Sequence, residues 1–128
     1  ENRSEISHKT VALRAGLGWI GKNCLLVTPE YGSAIRISSL LTDAPLECAQ
    51  PMEKSRCGGC SLCVQHCPAG ALKGTLWSAG MEREEIVDVN RCYQKQKEIM
   101  YASTGIDTDL CGKCFAVCAY TQNYLKKQ

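Results

Sequence analysis

Ten of the 128 residues are cysteines, and eight of them fall into two spaced groups. The first group reads Cys57-Gly-Gly-Cys60-Ser-Leu-Cys63-Val-Gln-His-Cys67-Pro68, which is C-x2-C-x2-C-x3-C-P. Two-residue gaps let one loop present three thiolates to three corners of an iron–sulfur cube. The fourth cysteine, set off by three residues and followed by proline, turns away and serves a second cluster. Gly58 and Gly59 keep the backbone bare where it must pass close to sulfide and donate N–H groups. The second group is Cys92 and then, after eighteen residues, Cys111-Gly-Lys-Cys114-Phe-Ala-Val-Cys118. Its x2 and x3 gaps repeat the first group, with the leading cysteine displaced upstream. Exchange of the fourth ligand then assigns Cys57, Cys60, Cys63 and Cys118 to one [4Fe-4S] cluster. Cys67, Cys92, Cys111 and Cys114 take the other. Cys24 and Cys48 are left over and are expected to be buried or idle thiols.

Two other chemistries use many cysteines. Eight thiolates suffice for two zinc ions, but zinc modules usually separate their CxxC pairs by a dozen or so residues, whereas here four cysteines crowd into eleven positions. A disulfide scaffold calls for a secreted chain. The polar start Glu-Asn-Arg-Ser-Glu is no secretory signal, and no apolar run is long enough to span a bilayer, so a cytoplasmic location is expected. The sequence does not begin with Met and is expected to be a fragment or a processed chain. Its 45% apolar content allows a core, and 22% charged residues argue against wholesale disorder. A formal charge of +2, with no long basic block, gives no reason to expect DNA binding.

The elements that must position these thiols divide the chain at about residue 46. Residues 1–46 read as a helix capped by Ser7, carrying Val11, Ala12 and Ala15 on one side, then a glycine-rich turn and a hairpin. The hairpin is expected between residues 24–28 and 34–41, around Pro29-Glu-Tyr-Gly32. Residues 47–128 read as the cluster module, with a short turn or helix at 82–87 and a longer helix capped by Asn90. Gly16, Gly18 and Gly21 match G-x-G-x-x-G, and Gly16 to Lys22 match G-x-x-x-x-G-K, both phosphate-binding patterns. Such loops follow a strand and open a helix. Here a helix precedes and a strand follows, Asn23 replaces the needed Ser or Thr, and nucleotide binding is not expected.

Taken together, Ala15-Gly-Leu-Gly-Trp-Ile-Gly-Lys-Asn23, Thr42-Asp43, the first cysteine run with Cys67-Pro68-Ala-Gly-Ala71, Arg91-Cys92-Tyr93 and the closing triplet resemble epoxyqueuosine reductases and their relatives. That family joins a cobalamin-binding catalytic region to a double [4Fe-4S] module and is related to the reductive dehalogenases. The resemblance implies that Cys92 is the displaced cluster ligand. It also implies that Gly16, Gly18, Trp19, Gly21 and Lys22 face cobalamin, that a ferredoxin or flavodoxin donates electrons, and that the longer protein acts on tRNA or another substrate. By ungapped counting Asn2 stands where the family has a proton-donating aspartate, and Cys118-Ala119 replaces the family's Cys-Pro. The expectation is therefore an α+β chain, a helix and β-hairpin remnant followed by a ferredoxin-like module with two [4Fe-4S] clusters. It would transfer electrons as part of an oxidoreductase, without being catalytically complete alone. A stand-alone ferredoxin-type carrier and a zinc-binding interaction domain are the alternatives.

Overall fold

The computed structural model describes residues 6–128; Asn2 lies outside the described residues. Helix α1, His8–Arg14, opens at Ser7, whose backbone is extended although its side chain makes no capping bond. The helix buries Ala12 and Leu13, while Val11 faces outward. The inward stripe is thus displaced by one residue from the one expected.

Strand β1, Trp19–Ile20, pairs antiparallel with β2, Leu26–Val27, in the register Trp19↔Val27 and Ile20↔Leu26. The hairpin therefore lies one arm earlier than the sequence suggested. Its reversal is Gly21-Lys22-Asn23-Cys24: Cys24 N donates to Gly21 O at 2.9 Å, and Leu25 N donates to Asn23 Oδ1 at 3.2 Å. Cys24 takes a left-handed φ of 60° to close it, a conformation that costs most non-glycine residues. The chain does reverse again at residues 28–32, where Thr28 and Gly32 exchange two backbone bonds of 2.8 and 3.0 Å. The outgoing arm, residues 34–41, then runs without a ladder partner. Ile35 and Ile37 lean on the core, but Leu40 and Leu41 are 90% and 91% exposed.

One core joins this hairpin to the cysteine-rich part. Trp19, Ile20, Leu26 and Val27 pack with Ala12 and Leu13 of α1 and with Ala71, Leu72, Ile86 and Val87. Short bridges brace the segments between the cysteines. Residues 53–55 pair with 77–79, and Leu72 pairs with Val87, so that Asp88 N donates to Ala71 O at 2.9 Å. A 3-10 turn, Arg83–Glu85, carries a reciprocal capping box between Glu82 and Glu85. Helix α3, Val89–Thr104, follows. Its cap is Asp88, whose carboxylate accepts from Arg91 N at 3.0 Å, and not Asn90 as the sequence suggested. The helix ends at Gly105 in the left-handed region. Three short helices complete the chain: α2, Leu62–Gln65; α4, Lys113–Ala116; and α5, Ala119–Leu125. Among the described residues no helix is long and apolar enough to cross a membrane.

Candidate metal centre

The two cysteine groups build the same small unit twice. In each, the CxxC pair ends inside a four-residue helix, Cys63 in α2 and Cys114 in α4, and the x3 cysteine follows that helix. Helices α2 and α4 pack on each other, which sets the two units face to face.

Around the first site, Cys57, Cys60, Cys63 and Cys118 line one cavity of about 40 Å³, with Lys22, Val27 and Tyr120. Burial pushes the Cys63 thiol up to about 11, and the neighbouring sulfurs of Cys57, Cys118 and Cys60 add to the effect. Cys118 comes from the far end of the chain and is delivered by α5. That helix is anchored at Thr121, 1% exposed, whose Oγ1 accepts from Ser33 N at 3.1 Å. Gly32 makes the contact possible: a Cβ there would lie 2.2 Å from Thr121 N, and its φ of 65° is one that glycine adopts freely. Tyr120 stacks edge-on against Trp19, with ring centroids 4.9 Å apart. The hairpin of the first 46 residues thus fixes the last cysteine of the chain.

The second expected set is Cys67, Cys92, Cys111 and Cys114, of which the first three all lie near enough to Cys114 to raise its thiol. Burial pushes the Cys114 thiol up to about 12, with contributions from Cys92, Cys63, Cys111 and Cys67. Cys92 is also raised, first by burial and then by Cys67, while a hydrogen bond from Gln96 opposes the shift. The Asp88 cap places Cys92 in the first turn of α3, and the bond from Asp88 N to Ala71 O ties that turn to the segment after Cys67. Sulfur atoms at this site receive hydrogen bonds: Ala71 N donates to Cys67 Sγ at 3.4 Å and Gln96 Nε2 to Cys92 Sγ at 3.3 Å. Cys63 is among the neighbours that raise Cys114, so the sites meet at the α2–α4 contact.

The donor set suits an iron–sulfur cluster. The cavity at the first site is lined by four thiols with no carboxylate or imidazole beside them. Among the described residues no three His, Cys, Asp or Glu side chains converge tightly enough for a single metal ion. A lone zinc needs its sulfurs about 2.3 Å away, whereas an all-thiol lining is the donor set of a [4Fe-4S] cluster. Crowded thiolates repel one another, and a cationic core relieves that repulsion by replacing the thiol protons. Of the leftover cysteines, Cys24 is buried with its thiol raised chiefly by burial, and Cys48 is exposed.

The glycine turn is mostly packed inward. Cβ atoms at Gly18 and Gly21 would lie 2.1 Å from Val27 O and 2.6 Å from Asn23 Oδ1, and Trp19 is 1% exposed. Gly16 keeps partial exposure, beside the exposed Leu17. Lys22 is buried and points to the first cysteine loop, where Nζ donates to Gly58 O at 2.8 Å and Cys60 O at 2.9 Å. Sequence reasoning placed Lys22 toward cobalamin rather than on the cysteine loop, and gave Ser33 and Thr121 no role. The signal available for Lys22 was a lysine set in an otherwise apolar stretch. A cleft of about 650 Å³ lies apart, between α1, residues 51–53 and residues 77–83, and none of the eight cysteines lines it.

A family profile described as "4Fe-4S double cluster binding domain" matches residues 56–121, just over half of the chain. The chain belongs to that family. Its curated relatives include an epoxyqueuosine reductase of Listeria monocytogenes, 35% identical over 94% of this chain and 31% of the relative. Another, from Bacillus cereus, is 46% identical over 53% of this chain and 18% of the relative. Among solved structures, an epoxyqueuosine reductase from Bacillus subtilis with its catalytic loop swung out superposes at a TM-score of 0.67, with 28% identity, covering 95% of this chain and 32% of that one. An epoxyqueuosine reductase with an epoxyqueuosine-modified tRNA stem loop gives the same score and identity, covering 96% and 32%. The chain therefore spans less than a third of the length of these relatives.

Proposed function

We propose that this chain is an electron-transfer module that holds two [4Fe-4S] clusters within an epoxyqueuosine reductase-like protein. Cys57, Cys60, Cys63 and Cys118 hold the first cluster, and Cys67, Cys92, Cys111 and Cys114 hold the second. The observation that carries this reading is the interleaving of eight thiols into two sets, one lining a single cavity and the other centred on Cys114, with helices α2 and α4 packed between them. Each cluster, when bound, takes up and releases one electron. The protein's own part is to keep the two sites adjacent through the α2–α4 contact, to bury the thiols partly, and to aim Ala71 N and Gln96 Nε2 at sulfur. Such hydrogen bonds and partial burial tune the potential.

The substrate side rests on the longer relatives. A tRNA bearing epoxyqueuosine is the substrate class we assign to the full-length protein, with a ferredoxin or flavodoxin as donor and the cytoplasm as its location. Cobalamin, the acceptor implied by the family resemblance, would meet the turn at Gly16 and Leu17. Neither cavity described above is lined by Gly16, Gly18, Trp19 or Gly21. The chain alone should be redox-active without reducing an epoxide-bearing nucleoside. The test is anaerobic reconstitution followed by iron and acid-labile sulfide analysis and electron paramagnetic resonance of the reduced chain. About eight irons and eight sulfides per chain are expected; two zinc ions and no sulfide would refute the assignment.

A further inference from the structure

Lys22 is 8% exposed, and its ammonium donates to two carbonyls of the loop that carries Cys57 and Cys60. It lines the same cavity as the four thiols of the first site. Removing an ammonium from water is unfavourable unless charge and hydrogen bonds compensate it. Carbonyl dipoles satisfy two of its donors, but no carboxylate pairs with it among the described residues. The cavity it lines supplies the missing negative charge on loading. Four thiolates outweigh the positive charge of a cubane core, so the loaded site is an anion and becomes more so with each electron accepted.

We propose that Lys22 is a positioning residue for the first cluster: it pins the Cys57–Cys60 loop and, through its buried charge, favours the reduced state of that cluster. This rests on the cluster assignment above. Other cations are placed differently. Lys113 follows Cys111 closely in the sequence but is exposed, where salt and water screen it. The Arg56 guanidinium lies over the Trp19 ring, 5.8 Å from its centroid. At the second site the sulfurs receive their bonds from a backbone N–H and a neutral amide. Lys22 is thus a charge device specific to one of two otherwise similar sites.

The experiment compares the wild-type chain with Lys22→Met, Lys22→Gln and Lys22→Arg, each reconstituted anaerobically. Iron and sulfide are measured first; a wild-type chain without about eight irons would remove the cluster assignment itself. Each loaded variant is then titrated with dithionite and mediators, followed by electron paramagnetic resonance. Lys22→Met should retain its iron while one of the two transitions moves to lower potential and the other stays. The expected shift is at least a tenfold fall in the reduced-to-oxidised ratio at the wild-type midpoint, 59 mV for one electron. Lys22→Arg, which keeps the charge, should move it by less than half as much. Should Lys22→Met fail to take up iron, Lys22→Gln carries the test, because it keeps a donor for the loop carbonyls without the charge. Full iron with both transitions unmoved in the uncharged variant would overturn the proposal and leave Lys22 as a staple only.

Discussion

Replacing Gly32 with Ala should empty a metal site whose nearest cysteine in sequence is far away. The added Cβ would lie 2.2 Å from Thr121 N and 2.6 Å from Thr121 Cα, and ordinary contact begins at 3.4 Å. Both atoms belong to backbone, so no side-chain rotation relieves the clash, and α5 must retreat by about 1 Å. The left-handed φ of 65° adds roughly 1–2 kcal/mol for a residue with a Cβ. Retreat of α5 also breaks the bond from Ser33 N to Thr121 Oγ1, leaving a buried N–H unpaired at about 1–3 kcal/mol. The total, roughly 2–5 kcal/mol, is a large part of the net stability of a small domain. Because α5 starts directly after Cys118, the displacement passes to that thiol. Iron content should fall from about eight toward about four per chain. The electron paramagnetic resonance signal of the second cluster should survive. Should the variant not fold, Thr121→Val removes only the acceptor; it should keep its iron and release it faster to a chelator. Full iron in Gly32→Ala, with an unchanged spectrum, would refute the claim that the hairpin sets the last ligand.

Cys92→Ala should lose one cluster and about half the iron, whereas Cys48→Ala should lose none; the reverse pattern in metal analysis would overturn the ligand sets. In the loaded protein a thiol reagent at neutral pH should modify the exposed Cys48 rapidly and Cys24 only on unfolding, since burial raises the Cys24 thiol and depletes its thiolate. Peptide mapping after alkylation reads this directly. Asp88→Ala should destabilise the chain by about 1 kcal/mol through loss of the α3 cap. Thermal unfolding of the loaded chain measures it, and an unchanged midpoint would show that the cap bond contributes nothing net.

The double-cluster family was legible in the cysteine spacing because that spacing is a local constraint, set by how one loop wraps a cube. The hairpin register was not. Residues 34–41 alternate Ile35, Ile37 and apolar neighbours as a strand would, yet their pairing depends on partners that the sequence does not name. The observed pair, Trp19–Ile20 with Leu26–Val27, is two residues long and closes through Cys24 at positive φ, a conformation sequence patterns do not favour. Asp88 displaced Asn90 as the cap because the bond from Asp88 N to Ala71 O fixes where α3 starts, a tertiary constraint. The G-x-x-x-x-G-K pattern is a related case. Its glycines serve close packing and its lysine serves a loop carbonyl pair, so the pattern arises without a phosphate.

On the proposed ligand sets, the exchange of the fourth cysteine makes the hairpin region and the cluster loops depend on each other. Cys118 belongs to the first set by space and to the second group by sequence, and Cys67 does the converse. Each site therefore draws on both halves of residues 57–118, and neither half can complete a site alone. Loading one site would shorten the search for the other by bringing α2 and α4 together. What the exchange does not supply is the placement of the chain beyond Cys118. Thr121 against Gly32 and Ser33 does that, and Tyr120 against Trp19 supports it. Lys22 performs the matching task at the other end of the first site, on the loop of Cys57 and Cys60. Because residues 19–33 contact both the Cys57–Cys60 loop and the helix after Cys118, a chain shortened to residues 47–128 should assemble the second proposed cluster more readily than the first.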